Sequence, residues 1–254
     1  MDSDLAAVER RERGVELSGF LAGPYGRYIM MAISVALVAV SASIHEFAHG
    51  WMALRCGDPT AKEAGRLTLN PLAHLDPFGS FMLPLMMALA GMPVFAAAKP
   101  VPFNPRRLNN PARDEALVAL AGPVSNIIQA IVAAVLLYLE ITFLEPLALR
   151  DRFNGGFGYD IFYLLVLITN SYLYVNLSLA FFNLIPIPPL DGSKLISPFL
   201  KGESRRIYNT LQAYSLPILM IVLYVVPTVF RVDPLGWYFD LTVDNVYDLL
   251  TFWW

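Results

Sequence analysis

Charge is what this sequence has least of. Only 15% of its 254 residues are Asp, Glu, Lys or Arg, against about a quarter in ordinary soluble domains. The shortfall comes with 56% hydrophobic and 13% aromatic residues, which excludes a disordered chain and argues against a soluble enzyme. There is no excess of basic residues. The formal net charge is −3, so no nucleic-acid partner is expected. A single cysteine, Cys56, excludes an internal disulfide framework and a cysteine-based zinc cluster. It reads as a buried or interfacial thiol without a role. Histidine is scarce as well, with three in the chain, so where they stand is informative.

What the chain does have is long uncharged runs. No charged side chain occurs between Arg27 and His45, Asp76 and Lys99, Glu115 and Glu140, Asp160 and Asp191, or Arg206 and Arg231. A helix needs about 20 apolar residues to cross a bilayer. Four spans are expected, at roughly 28–54, 116–139, 161–185 and 207–230. The fifth run, 77–98, carries Pro84, Gly91 and Pro93, which break a short helix and suit a re-entrant segment. The expected fold is an all-α polytopic membrane protein with about four transmembrane helices, a re-entrant segment and a short β element near the active site. Residues 1–26 read as a polar arm and 27–232 as the membrane domain. Residues 233–254 mix Asp with Trp, Tyr and Phe, which suits a tail at the lipid headgroups.

Membrane helices avoid ionisable groups, at about 2.5–3.5 kcal/mol each for Asp, Lys or Arg at mid-span. The first run nevertheless continues into Ile44-His45-Glu46-Phe47-Ala48-His49-Gly50. On a helix, His45 and His49 share a face and can reach one metal, while Glu46 can address a water beside it. A bland alternative is two interfacial histidines with a snorkelling Glu. Three costly groups so close in sequence call instead for a shared partner.

Catalytic zinc takes three protein ligands and keeps one position open. His74, in Pro71-Leu72-Ala73-His74, is one candidate for the third. Asp191 is more suggestive. It follows Pro186-Ile187-Pro188-Pro189-Leu190, which cannot continue a regular helix and would unwind where the chain lines a polar cavity. Gly192 allows close backbone approach. The competing role for Asp191 is a helix cap for 193–200.

With these motifs in order, the chain resembles the site-2 protease family of intramembrane zinc metalloproteases. Besides His45-Glu46-x-x-His49, the resemblance rests on Gly57-Asp58-Pro59-Thr60, Gly65 to Pro71, His74-Leu75-Asp76-Pro77, Ala98 to Pro105, Gly122-Pro123-Val124-Ser125-Asn126 and Asn183 to Gly192. It covers roughly 28–200, and it is to the compact branch that has no PDZ or CBS domain. The resemblance implies one Zn²⁺ per chain on His45, His49 and Asp191, with Glu46 as the base. It implies hydrolysis of peptide bonds in or near the transmembrane segments of single-span substrates. Asn126 and Asn183 are the candidate oxyanion donors, with interhelical hydrogen bonding as the alternative for each. His74 could assist the pocket or simply bond Asp76. Arg66-Leu67-Thr68-Leu69 could offer a strand edge to an extended substrate.

Metal ligands must meet at one depth. If 77–98 crossed the bilayer, Asp191 would stand ~30 Å from His49; a re-entrant 77–98 lets them meet. The spread of Lys and Arg does not choose between these topologies. The metal geometry does, and the site is expected nearer the cytoplasmic face of a multi-pass protein of the cell membrane. The competing function is a non-enzymatic membrane protein that binds or transports metal. A prenyl-protein-processing type of zinc protease would need a later Glu ligand, and the later spans contain no interior Glu.

Overall fold

A computed structural model describes residues 23–74, 99–153 and 158–253. Helix α1 (Pro24–Arg55) opens with Pro24 in its first turn, where a missing N–H leaves nothing unsatisfied. It stops at Cys56, and Gly57 takes φ of 101° to turn the chain. The short α2 (Thr60–Glu63) follows. Helix α3 (Pro111–Leu139) starts behind Asn110, whose side chain accepts from Arg113 N while Asp114 accepts from Asn110 N. Two orphan amides of the first turn are thereby satisfied. Helix α3 passes through a π-turn (Glu140–Leu144) into α4 (Glu145–Phe153). Helix α5 (Gly158–Leu184) ends where the proline run begins.

Among the described residues, three helical stretches are long and apolar enough to cross a membrane: Tyr28–Arg55, Pro111–Asp151 and Gly158–Leu184. They correspond to the first three expected spans. The fourth is broken. Helix α6 (Asp191–Ile196) leads to α7 (Gly202–Ala213), then α8 (Ser215–Met220) and α9 (Val226–Phe230). Between α7 and the Pro217–Phe230 stretch the axis bends by 73°. Pro217 explains the break, since it lacks an N–H and its ring would meet the carbonyl of Ala213 in a straight helix.

The helices meet through small residues. Ala130, Ala133 and Ala134 with Leu137 on α3 pack against Leu173 and Leu177 on α5. Alanine lets helix backbones approach closely where lipid provides no hydrophobic drive. The last segment, α10 (Pro234–Phe239) and α11 (Asn245–Leu250), joins this core through Val243, with Phe239, Val246, Tyr247, Leu250 and Trp253 packed beside it. It lies on the helix core, and Tyr238 Oη also donates to Phe181 O at 3.1 Å.

No strand occurs among the described residues. The stretch expected to supply a β element, Arg66 to Leu69, is irregular. Its polar groups are engaged locally, with His74 Nε2 on Thr68 O at 2.8 Å and Thr68 Oγ1 on Asn70 N at 3.2 Å. These bonds compete with ladder formation. The re-entrant segment expected at 77–98, and residues 1–22 of the polar arm, lie outside the described residues. On either side of the former, Lys99 N donates to His74 O at 2.9 Å.

The loops after α1 and before α3 form one unit around Asp58. This buried carboxylate accepts from Thr60 N at 3.0 Å, from Thr60 Oγ1 and from Asn104 N at 2.5 Å. Arg107 Nη1 meets Glu63 Oε2 at 2.6 Å nearby. Burial pushes the Asp58 carboxyl up, but its hydrogen bonds and the Arg107 charge prevail and hold it below the usual range. A depressed carboxyl stabilises the fold above its unfolded pKa, near ~3.9, and that contribution is lost as pH falls through the lower folded value. Asp58→Ala is therefore expected to destabilise by about 2–4 kcal/mol at neutral pH, read as a lower melting temperature in detergent. The gap from wild type should close in strong acid.

Candidate metal centre

Three groups from two distant stretches of the chain converge. His45 and His49 project one turn apart from α1, and Asp191 opens α6. His45 Nε2 and His49 Nε2 lie 2.9 Å apart, and Asp191 Oδ2 is 3.1 Å from the first and 3.0 Å from the second. The side chains of His49 and Asp191 are 11% and 8% exposed.

The proline run explains how Asp191 arrives there. Helix α5 ends at Leu184 and the chain turns back over its last carbonyls. A Cβ on Gly192 would collide with the backbone of Leu184 and Ile185, so only glycine fits beneath the turn. Leu190 takes the cap position, and Asp191 is the first residue of α6. Its Oδ1 accepts from Lys194 Nζ at 2.9 Å.

The outer nitrogens of the imidazoles are also engaged. His49 Nδ1 lies 2.6 Å from Val118 O, and His45 Nδ1 lies 2.5 Å from Asn126 Oδ1. A carbonyl oxygen only accepts, so His49 Nδ1 carries the hydrogen and its Nε2 presents a lone pair. That lone pair faces a carboxylate oxygen and a second imidazole nitrogen. Electron-pair donors gathered this closely need a shared cation. Two ligands at ~2.05 Å subtend ~3.3 Å at a tetrahedral ion, close to the separations observed. Gly122 of α3 completes the fit. A Cβ there would strike His49 Nε2 and come within 2.5 Å of His45 Nε2, so the glycine keeps the space beside the donors clear. His45, His49 and Asp191 are placed to bind a metal ion.

Glu46 is held from one side. Val101 N donates to its Oε2 at 2.8 Å, which ties the 99–104 loop to the α1 helix beside the histidines. Asn126, expected as an oxyanion donor, faces His45 with its oxygen and gives its Nδ2 to Asn176 Oδ1 at 2.8 Å. Asn183, the second such expectation, donates from Nδ2 to Leu179 O at 2.9 Å, one turn back in its own helix. His74, the other candidate for the third ligand, is outside the ligand group and bonds Thr68 O. Its expected partner Asp76 lies outside the described residues. Cys56 is buried, and burial with the nearby Asp114 charge pushes its thiol up.

Reading the sequence missed Asn176 and Lys194 as parts of this centre, and it named Gly122 only within a motif. A signal for Asn176 was present. It is an amide within an apolar span, and such groups face protein partners rather than lipid. The contribution of Gly122 depends on which helix face meets α1, and nothing local records that.

The profile of peptidase family M50 matches residues 32–226. The protein YwhC of Bacillus subtilis is 38% identical over 199 residues, which are 78% of this chain and 82% of that one. The protein Rip2 of Mycolicibacterium smegmatis is 30% identical over 203 residues, 80% of this chain and 68% of that one. Rip2 of Mycobacterium tuberculosis is 30% identical over 226 residues, 89% and 77% of the two chains. All three bear provisional zinc metalloprotease names. No solved structure matches the chain significantly.

Proposed function

The chain belongs to peptidase family M50 and is a zinc metalloprotease of the membrane, and from this we propose that it cuts peptide bonds within or beside the transmembrane segments of other membrane proteins. One observation carries the reading. His49 and His45 stand six and ten residues before α1 ends at Arg55, about 9 and 15 Å along its axis. Helix α1 is a candidate membrane span, so a bond reaching these histidines must itself enter the depth of the membrane. Regulated intramembrane proteolysis of single-span proteins is the activity this depth suits.

His45, His49 and Asp191 would hold one Zn²⁺, which supplies Lewis acidity toward a carbonyl and makes water a better nucleophile at neutral pH. Glu46 is the general base. Its Oε2 is occupied by Val101 N, which leaves Oε1 to accept the proton of an attacking water and pass it to the departing amine. Asn183 Nδ2 gives one hydrogen to Leu179 O and keeps the other for the developing oxyanion. Asn126 acts through His45. A helical peptide bond has its carbonyl engaged four residues on, so the substrate must unwind before it is cut. The cytoplasmic face of the cell membrane is the side on which we place the loops around Lys62 and Arg106. Cysteines introduced there should stay unlabelled by impermeant thiol reagents added outside intact cells; labelling of either contradicts that side.

The reading is tested by reconstituting the protein in vesicles with a panel of single-span proteins and mapping the cuts by mass spectrometry. Cuts should fall inside the apolar stretch or within a turn or two of it. Cuts confined to soluble loops would contradict the proposal, and zinc uptake into vesicles without any cleavage would identify a transport protein instead.

A further inference from the structure

We propose that Asn176 is a positioning residue that fixes His45 in its metal-ligating tautomer, through a chain of amides crossing three helices. The proposal rests on the reading of His45 as a ligand. A neutral imidazole carries one hydrogen, on either nitrogen, and can ligate through Nε2 only if the hydrogen is on Nδ1. The partner of His45 Nδ1 is Asn126 Oδ1. An amide can turn over, however, and present its NH₂ there instead, which would place the hydrogen on Nε2 and remove the lone pair.

The structure supplies the lock. Tyr172 O is a backbone carbonyl one turn before Asn176 on α5, and it accepts from Asn176 Nδ2 at 2.9 Å. A carbonyl cannot donate, so Asn176 must keep its NH₂ on that side, where Ser41 Oγ of α1 also accepts at 3.0 Å. Asn176 Oδ1 therefore faces Asn126 and demands a donor, which is Asn126 Nδ2 at 2.8 Å. Asn126 Oδ1 is then left for His45, whose Nδ1 must carry the hydrogen. Both asparagines are fully buried, so water cannot substitute for either partner. His49 reaches the same tautomer in one step, from Val118 O. Among the described residues, His45 Nδ1 meets the side chain of Asn126 rather than a backbone carbonyl, and it obtains the equivalent constraint from a carbonyl two amides away.

Co²⁺ binding to detergent-purified protein, measured by chelator competition, reads ligand quality without substrate. Asn176→Leu frees the Asn126 amide to turn and is expected to weaken binding about 10–100-fold. Asn126→Asp offers an accepting oxygen whichever way it turns. The double variant Asn126→Asp/Asn176→Leu should therefore recover to within about fivefold of wild type. A double variant as weak as the single would overturn the proposal, because a purely structural role for Asn176 is not repaired at 126. The wild-type protein gives a reading that no variant's folding affects. Its Co²⁺ form in H₂O should show two exchangeable, paramagnetically shifted imidazole N–H protons, one each from His45 and His49, and a single such proton would mean that one of the two imidazoles is not a ligand, which refutes the parent reading. The parent reading fails separately. If His45→Ala binds Co²⁺ as tightly as wild type, His45 is not a ligand. If His45→Ala loses binding while Asn176→Leu keeps it, only the role of Asn176 is refuted.

Discussion

Glu46→Gln should retain its full complement of zinc and lose peptide hydrolysis by about 10²–10⁴-fold. The substitution is nearly isosteric. A glutamine oxygen can still accept from Val101 N, which lies 2.8 Å from Glu46 Oε2, so the 99–104 loop keeps its anchor on α1. What disappears is the second carboxylate oxygen as a proton acceptor. Binding of a single-span substrate should be close to wild type, with the loss in turnover. The check is zinc content by elemental analysis beside the cleavage rate at saturating substrate. Loss of zinc in the glutamine variant would mean that Glu46 belongs to the ligand group. Unchanged turnover would remove it from the chemistry.

Gly122→Ala should be as damaging, from a position that carries no functional group. The added methyl would overlap His49 Nε2 and come within 2.5 Å of both Cε1 and Nε2 of His45. Side chains often yield to such a contact, but these two are tied at their far ends, His49 to Val118 O and His45 to Asn126. Either the imidazoles swing off those partners or α3 backs away from α1. Both outcomes spoil the convergence with Asp191. Displacement of reacting groups by about 1 Å costs on the order of 100-fold in rate, and a comparable loss is expected in metal affinity. Melting temperature should fall little, because the α3–α5 core at Ala130 to Leu137 lies further along the helix. Zinc affinity and rate near wild type in Gly122→Ala would show that the helices have more slack than these distances allow.

How much of this was legible in the sequence varies with the kind of signal. His45, Glu46 and His49 could be read directly, because a four-residue spacing on a helix is a local fact and ionisable groups in an apolar run are costly. Asp191 could be read in part. The prolines announced an unwound turn, but the turn's direction depends on Gly192 tucking against Leu184 and Ile185, a contact no propensity encodes. The first three spans followed from the absence of charge. The fourth run was read as a span from its lack of charge, and a proline at 217 in such a run could permit bending; the axis does bend there, by 73°, an angle that hydropathy does not record. The irregular course of Arg66 to Leu69 went unread for a similar reason, since alternation suggested a strand while Thr68 and His74 bond within the loop. The amide chain from Tyr172 to His45 involves three helices, and its meaning lies in which end of each amide faces which neighbour. Sequence supplies the asparagines and tertiary packing supplies their direction.

The central claim is that the carboxylate after the proline run and the two imidazoles of α1 hold a single ion together. Elemental analysis of detergent-purified wild type and Asp191→Ala, made side by side, tests it most directly. Close to one zinc per chain in the wild type, falling to near zero in the variant while helical content is unchanged, is the result expected. Equal zinc in both proteins, or none in a wild type that still cleaves its substrate, would contradict it.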